Sequence, residues 1–267
     1  MNCGNFMNRA IGNPVKRKLE RGQKTVGGFL QTISPIAAEI MSRSGFDWLI
    51  VDLEHAPGDF ANLQAQLQAM NGSGVVPFAR APWNDAVAIK RILDTGVMGV
   101  LVPYVNTREE AEAAVAACKY PPQGVRGVAG SPRAAGYTGD VMRYLTSANA
   151  ETVVIVAVET AQAVENLDEI LSVAGLDGIF VGPMDLASSM GYLGNATQPE
   201  VQETIAAIEE SVLASDKFLG TLAADWNEAR AYFEKGYQWI VVMQDGATLR
   251  RVGDEAVAAF RSVYGDG

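Results

Sequence analysis

The single histidine, His55, stands in the run Phe46-Asp47-Trp48-Leu49-Ile50-Val51-Asp52-Leu53-Glu54-His55-Ala56-Pro57. An apolar, β-favouring stretch leads straight into Asp52, Glu54 and His55, and Pro57, Gly58 and Asp59 then break the chain. A buried strand that delivers ionisable groups at its carboxyl end is where parallel α/β sheets and barrels keep their chemistry. The one side-chain type that ordinarily titrates near neutrality is used once, at such an end. The plain alternative is a solvated loop histidine.

Three further strand ends carry comparable groups. Arg80 closes Pro77-Phe78-Ala79-Arg80-Ala81-Pro82-Trp83, Glu159 closes Val153-Val154-Ile155-Val156-Ala157-Val158-Glu159, and Asp185 follows Gly178-Ile179-Phe180-Val181-Gly182-Pro183-Met184-Asp185. Two carboxylates on neighbouring strands suit a hard divalent cation that keeps several waters. Read without chemistry, Asp185 is a helix N-cap; Glu159 caps poorly and follows an unbroken apolar strand. Arg80, flanked by prolines, is either a structural ion-pair partner or a rigidly held guanidinium for bidentate binding of a carboxylate. Gly182 to Asp185 reads as a strand-to-helix turn whose backbone amides face an anion. Together these groups describe a 2-oxo acid chelated on a metal, with a polarised carbonyl and a stabilised enolate. Imine chemistry is disfavoured, because Lys16, Lys18, Lys24, Lys90, Lys119, Lys217 and Lys235 all fall outside the expected strands.

The elements that must position these residues alternate along the chain. Apolar runs predict strands over Val26–Leu30, Trp48–Val51, Val75–Ala79, Gly99–Val102, Val153–Val158, Gly178–Val181, Phe218–Thr221 and Trp239–Val242. Three- and four-residue spacing predicts helices over Ile36–Ser42, Phe60–Met70, Ala86–Leu93, Glu109–Cys118, Ala161–Val173, Val201–Ala214, Asn227–Lys235 and Thr248–Val263. Eight such pairs make a (β/α)8 TIM barrel, with a doubly wound sheet as the alternative. The expectation is one α/β domain over residues 1–267 with a polar N-terminal extension over about 1–24. Two long connections, Lys119 to Ala150 and Met184 to Pro199, depart from a minimal barrel and are candidates for function or an interface.

The net charge of −10 argues against nucleic acid or an anionic membrane as partner. Cys3 and Cys118 cannot build a disulfide framework or a CxxC metal site. With no signal-peptide pattern and no window of 18 apolar residues, the expectation is a cytoplasmic protein.

The motifs resemble the HpcH/HpaI class II aldolases, a family of metal-dependent pyruvate aldolases on a barrel of the phosphoenolpyruvate/pyruvate type. The resemblance runs from about Gly27 to Gly246. It rests on Gly45-Phe46-Asp47-Trp48, Asp52-Leu53-Glu54-His55-Ala56-Pro57, Arg80 with Trp83-Asn84-Asp85, Lys119-Tyr120-Pro121-Pro122 with Gly124-Val125-Arg126-Gly127, Glu159-Thr160, and Gly182-Pro183-Met184-Asp185-Leu186 with Met190-Gly191-Tyr192. Within the family the motifs resemble the branches acting on 4-hydroxy-2-oxoheptanedioate and 2-keto-3-deoxyrhamnonate. The resemblance implies cleavage of 4-hydroxy-2-oxo acids to pyruvate and an aldehyde, with cytoplasmic hexamers or trimers of dimers. It implies His55 as the base for the 4-hydroxyl and Arg80 on the 2-oxo acid and its enolate. Glu159 and Asp185 would hold Mg²⁺, Mn²⁺ or Co²⁺, and amides over Gly182, Pro183 and Met184 would meet the substrate carboxylate. Asp94 matches an acid that raises the basicity of the histidine. Because Asp94 ends a helix, it should lie at the bottom of its own barrel and act on the His55 of a neighbouring subunit. Ala157 stands where the family pattern has a substrate-contacting glutamine, and Phe29 where it has tryptophan, so the pocket is reshaped.

Three other readings compete. Oxaloacetate decarboxylation uses the same enolate without an aldehyde pocket. A citrate-lyase-β-like acyl lyase requires a basic patch for coenzyme A phosphates, which the sequence does not offer. A non-catalytic oxo-acid-binding barrel predicts loss of the base or the ligands, yet His55, Arg80, Glu159 and Asp185 are all present.

Overall fold

Along each strand the side chains split with a two-residue period into an inward and an outward apolar set. Trp48, Ile50, Phe78, Leu101, Ile155, Ala157, Phe180, Trp239 and Val241 belong to one buried cluster inside the sheet. Leu49, Val51, Ala79, Val100, Val102, Val154, Val156, Val158 and Ile179 belong to a second, between sheet and helices. A sheet buried on both faces, built from β-branched and aromatic residues, has to be wrapped by helices. The computed structural model, which describes residues 12–265, shows that arrangement.

The parallel strands β1 (Thr25–Leu30), β2 (Trp48–Asp52), β3 (Val76–Arg80), β4 (Gly99–Val102), β5 (Val153–Val158), β6 (Gly178–Val181), β7 (Phe218–Leu222) and β8 (Trp239–Gln244) close into a barrel in sequence order. The register runs through pairs such as Asp52 with Arg80 and Ala157 with Phe180. The (β/α)8 expectation holds, with strand ends shifted by up to two residues.

The lower half of the interior is aromatic. Trp48 and Trp239 lie stacked 3.6 Å apart at 2°, and both are fully buried. Gly27 makes room for this pair, since a Cβ there would come within 2.2 Å of the Trp48 ring. Beneath it sits α1 (Pro14–Glu20), whose Val15 and Leu19 join the inward cluster. Residues 14–20 are therefore a plug of the barrel and not merely a polar extension. The signal was present: Asn13 caps the helix by accepting from the Val15 and Lys16 amides, and proline takes the first helical position. Cys3 and Arg9 lie outside the described residues.

The outer layer is α2 (Pro35–Ser42), α3 (Phe60–Ala69), α4 (Ala86–Asp94), α5 (Arg108–Cys118), α6 (Val141–Glu151), α7 (Ala161–Glu165), α8 (Leu167–Leu171), α9 (Pro183–Ser189), α10 (Pro199–Leu213), α11 (Trp226–Lys235) and α12 (Asp245–Tyr264). The helix expected over Ala161–Val173 is broken at Asn166, whose side-chain amide donates to Asn106 O at 2.8 Å. The Lys119 to Ala150 connection holds a 3₁₀ turn and α6, and Lys119 pins it by donating to Asn149 O and Thr152 O. Helix α12 differs from the rest: of its residues only Asp245 is buried, while Leu249, Val252, Phe260 and Val263 face outward. On α2, Ile36 and Ile40 are exposed as well. Among the described residues no helix is long and apolar enough to cross a membrane.

Candidate active site

The inward period continues one step past the apolar interior. Above Phe29, Ile50, Phe78, Ala157 and Phe180 the next inward positions are Gln31, Asp52, Arg80, Glu159 and Gly182. These sit at the carboxyl ends of β1, β2, β3, β5 and β6, the mouth at which parallel barrels place their reactive groups.

Asp52 is fully buried and organises one side of the mouth. Arg80 donates to it through Nε at 2.9 Å and Nη2 at 2.6 Å, and Gln31 Nε2 donates at 2.9 Å. Asp52 also accepts from the amides of Glu54 and His55, which turns the chain after β2 back over the barrel. Burial pushes the Asp52 carboxyl up, but the hydrogen bonds and charge of Arg80, with Gln31 and the Glu54 amide, hold it below the ordinary aspartate value. The two-point partner of Arg80 is thus Asp52, and the edge left for another acceptor is Nη1, which lies 3.1 Å from Glu54 Oε2.

Across the mouth, Glu159 is buried and accepts from the Tyr104 amide through Oε1 at 2.7 Å. The Tyr104 phenol stands 3.5 Å from Asp185 Oδ1, so one residue touches both carboxylates. Tyr104 does this from a left-handed backbone, φ 51°. Such a conformation in a non-glycine residue persists where its surroundings over-determine it. Asn106 supplies part of that by donating to Tyr104 O at 3.0 Å, and the ring stacks on exposed Trp83 at 5.7 Å. Gly182 is required by close approach, because a Cβ would fall 2.7 Å from Glu159 Oε2. Asp185 is not an N-cap: Gly182 holds that position, and Asp185 lies in the first turn of α9. The first intrahelical bond runs from Leu186 N to Gly182 O, so Met184 and Asp185 have first-turn amides without an intrahelical partner. Pro183 has no N–H to offer.

Glu54, Glu159 and Asp185 repel one another. Burial, with the charges of Asp52 and Asp185, pushes Glu54 up to about 7 against the pull of Arg80. Burial, with the charges of Glu54 and Asp185, pushes Glu159 up to about 7 despite the Tyr104 amide. A buried acidic set that raises its own proton affinity fits a divalent cation. Among the described residues no three His, Cys, Asp or Glu side chains can enclose a metal by themselves. Glu54 is paired with Arg80, so Glu159 and Asp185 are the candidate ligands, with the remaining positions open to water and substrate oxygens.

A pH dependence follows for the metal-free protein. A carboxyl whose folded pKa lies above its unfolded value destabilises the fold at high pH and ceases to do so as it binds its proton. Stability should therefore rise as pH falls from about 7 to about 4.5, by on the order of a few kcal/mol for the pair. Below the ordinary aspartate value, protonation of Asp52 reverses the trend. Urea melts between pH 8 and 4 test this, and a flat profile would contradict it.

His55 joins the same mouth, its Nε2 3.7 Å from Glu54 Oε2, with 55% of the side chain exposed. Asp94 does not join it. It lies at the end of α4, where Arg126 Nη2 donates to it at 2.7 Å and the buried Arg126 guanidinium stacks on Tyr120. The structure adds Gln31 and Tyr104 to the residues the sequence singled out, and it gives Glu54 its partner in Arg80. Tyr104 obeys the same strand-end rule, following β4 in Val102-Pro103-Tyr104, and Glu54 lies between two residues already selected. Ala157 and Phe29 face inward directly beneath the polar ring, and the Arg80 guanidinium lies 4.8 Å above the Phe29 ring.

Residues 25–251 match the model of the HpcH/HpaI aldolase/citrate lyase family. The chain is 41% identical over 254 residues to a 5-keto-4-deoxy-D-glucarate aldolase of Escherichia coli O157:H7, covering 95% of this chain and 99% of that one. An HpcH/HpaI aldolase/citrate lyase family protein from Burkholderia cenocepacia J2315 superposes with a TM-score of 0.88 at 36% identity, over 93% of this chain and 99% of that one. An HpcH/HpaI aldolase from Desulfitobacterium hafniense DCB-2 gives 0.85 at 29% identity, over 92% and 96%.

Proposed function

The chain belongs to the HpcH/HpaI aldolase/citrate lyase family and is a carbon–carbon lyase of the aldolase type, and from that premise we propose which residues perform the cleavage and on what. The reaction splits a 4-hydroxy-2-oxo acid into pyruvate and an aldehyde. A keto group beside a deoxy carbon, next to a hydroxylated one, is the pattern in the name of the curated relatives. A 5-keto-4-deoxyhexarate is therefore the first substrate to test, ahead of the seven-carbon and rhamnonate-derived acids.

The observation that carries the assignment is the facing of Arg80 and Glu54 against Glu159 and Asp185 across one barrel mouth. His55 takes the proton from the C4 hydroxyl. The C3–C4 bond then breaks as C4 becomes the aldehyde carbonyl, its electron pair moves to the C2 carbonyl as an enolate, and a proton delivered to C3 from solvent, balanced by release of the proton from His55, gives pyruvate. Arg80 Nη1 holds the developing enolate oxygen, and the amides of Met184 and Asp185 receive the carboxylate. Mg²⁺, Mn²⁺ or Co²⁺ held by Glu159 and Asp185 would supply Lewis-acid polarisation of the 2-oxo group.

The same reading includes a homo-oligomer, a hexamer or trimer of dimers, in a cytoplasmic setting that the two-cysteine composition supports. The outward apolar residues of α12 and of α2 are surfaces that a second copy would cover. Asp94, far from its own mouth and fixed by Arg126, would serve the exposed His55 of that copy. Light scattering is the check: full activity in a 28.4 kDa monomer would overturn the assembly and the role of Asp94 together.

Pyruvate release by metal-stripped protein, with and without each cation, tests the whole. Metal-restored release with a matching aldehyde is expected, and Glu159→Gln should lose both the restoration and cation affinity. Release from oxaloacetate alone would make the protein a decarboxylase.

A further inference from the structure

Asp245 lies far along the chain from the residues assigned above, yet it is built into their support. It is the buried residue of an otherwise exposed α12, at 7% exposure. Gln244 holds the cap position, and of its own helix the Asp245 carboxylate binds only the Gly246 amide. It turns back across the β8–β1 seam, where Phe29 pairs with Gln244. Oδ1 accepts from Gln31 N and Gly246 N, both at 2.8 Å, and Oδ2 from Thr32 N at 3.2 Å and from the Thr32 hydroxyl. A buried carboxylate held by amides and a hydroxyl fixes the backbone it binds, because releasing any of these donors would leave a desolvated charge short of partners.

The backbone it fixes is that of Gln31. The Gln31 side chain donates to Asp52 Oδ2 at 2.9 Å, and Asp52 takes Arg80 in a two-point pair at 2.9 and 2.6 Å. Without Gln31, the second oxygen of Asp52 would rest on Arg80 alone, and the guanidinium, whose Nη1 already lies 3.1 Å from Glu54, could close fully onto that carboxylate. That closure would remove the Nη1 edge from the substrate.

We infer that Asp245 is a positioning residue for substrate binding, acting through Gln31 and Asp52 on Arg80. The inference rests on the assignment of Arg80 to the 2-oxo acid. It couples the seating of α12 to affinity for the substrate and leaves the carboxylates of Glu159 and Asp185 untouched.

Calorimetric titration of the assembled, Mn²⁺-loaded protein with pyruvate provides the test, alongside Mn²⁺ titration of the stripped protein. Asp245→Asn should weaken pyruvate binding about tenfold, the scale of one charge-assisted hydrogen bond. Its Mn²⁺ affinity should stay within about twofold of the parent. Gln31→Leu should reproduce that shift, and the double variant should be no worse than either single one, because both act on one relay. Additive losses approaching a hundredfold would overturn the relay. Unchanged pyruvate affinity in Asp245→Asn would overturn it too, as would a parallel loss of Mn²⁺ affinity, the mark of general damage. Should Asp245→Asn fail to fold, Thr32→Val removes one donor and keeps the backbone; a smaller shift in the same direction is expected, and no shift overturns the inference. A parent protein that binds Mn²⁺ but no pyruvate would instead overturn the aldolase assignment of Arg80, and this inference with it.

Discussion

Arg80→Met should abolish pyruvate release to beyond a thousandfold and cost the fold about 3–5 kcal/mol, because it removes the cation from Asp52 and Glu54 while leaving both carboxylates buried. The two losses have different origins, and Arg80→Lys separates them. Lysine keeps the charge but cannot pair with Asp52 through two parallel N–H donors. It should recover most of the stability and little of the turnover. Equilibrium unfolding read beside kcat/KM checks both. Full activity in Arg80→Lys would mean that charge alone is used at this position, and the geometry of Nη1 would lose its role.

His55→Ala should lower retro-aldol cleavage by roughly 10²–10⁴-fold, the usual contribution of a positioned general base. The proposed pyruvate and metal site rests on Arg80, Glu159 and Asp185 and not on His55, so both affinities should survive. Oxaloacetate separates the roles further. Its decarboxylation reaches the same enolate by losing carbon dioxide and has no hydroxyl to deprotonate. His55→Ala should therefore retain any decarboxylation the parent shows while losing aldol cleavage. Parallel loss of both would make His55 part of the binding architecture. The exposed imidazole should tolerate the change without loss of stability, since its 3.7 Å approach to Glu54 is too long for a hydrogen bond.

The strands were legible because a sheet covered on both faces needs unbroken β-branched and aromatic runs, and Val153 to Val158 or Gly178 to Val181 admit little else. The mouth was legible for the same reason. A polar residue directly after such a run has nowhere to go but the carboxyl rim, which marks Arg80 and Glu159, and the strand-to-helix turn after β6 carries Asp185 to the same rim. What the sequence hid were contacts set by tertiary placement. Glu54 gains its meaning from Arg80 at 3.1 Å, 26 positions on in a neighbouring strand. Tyr104 gains its meaning from a left-handed backbone that no tyrosine announces. Helix α1 hid behind its basic exterior, Lys16, Arg17 and Lys18, although Val15 and Leu19 carried the burying face. The break at Asn166 depended on a carbonyl sixty positions earlier.

The four tryptophans fall into three optical groups. Trp48 and Trp239, stacked face to face inside the barrel, are dry and close enough to couple excitonically, so their circular dichroism band in the near ultraviolet should vanish in step with global unfolding. Trp83 is wet, sits at the rim and leans on Tyr104, so its emission should respond to whatever enters the mouth while the buried pair stays silent. Trp226, on the outer face of α11, reports on neither and sets a constant background. The native chain thus carries separate intrinsic reporters for folding and for ligand entry, and the two can be followed in one cuvette without a label.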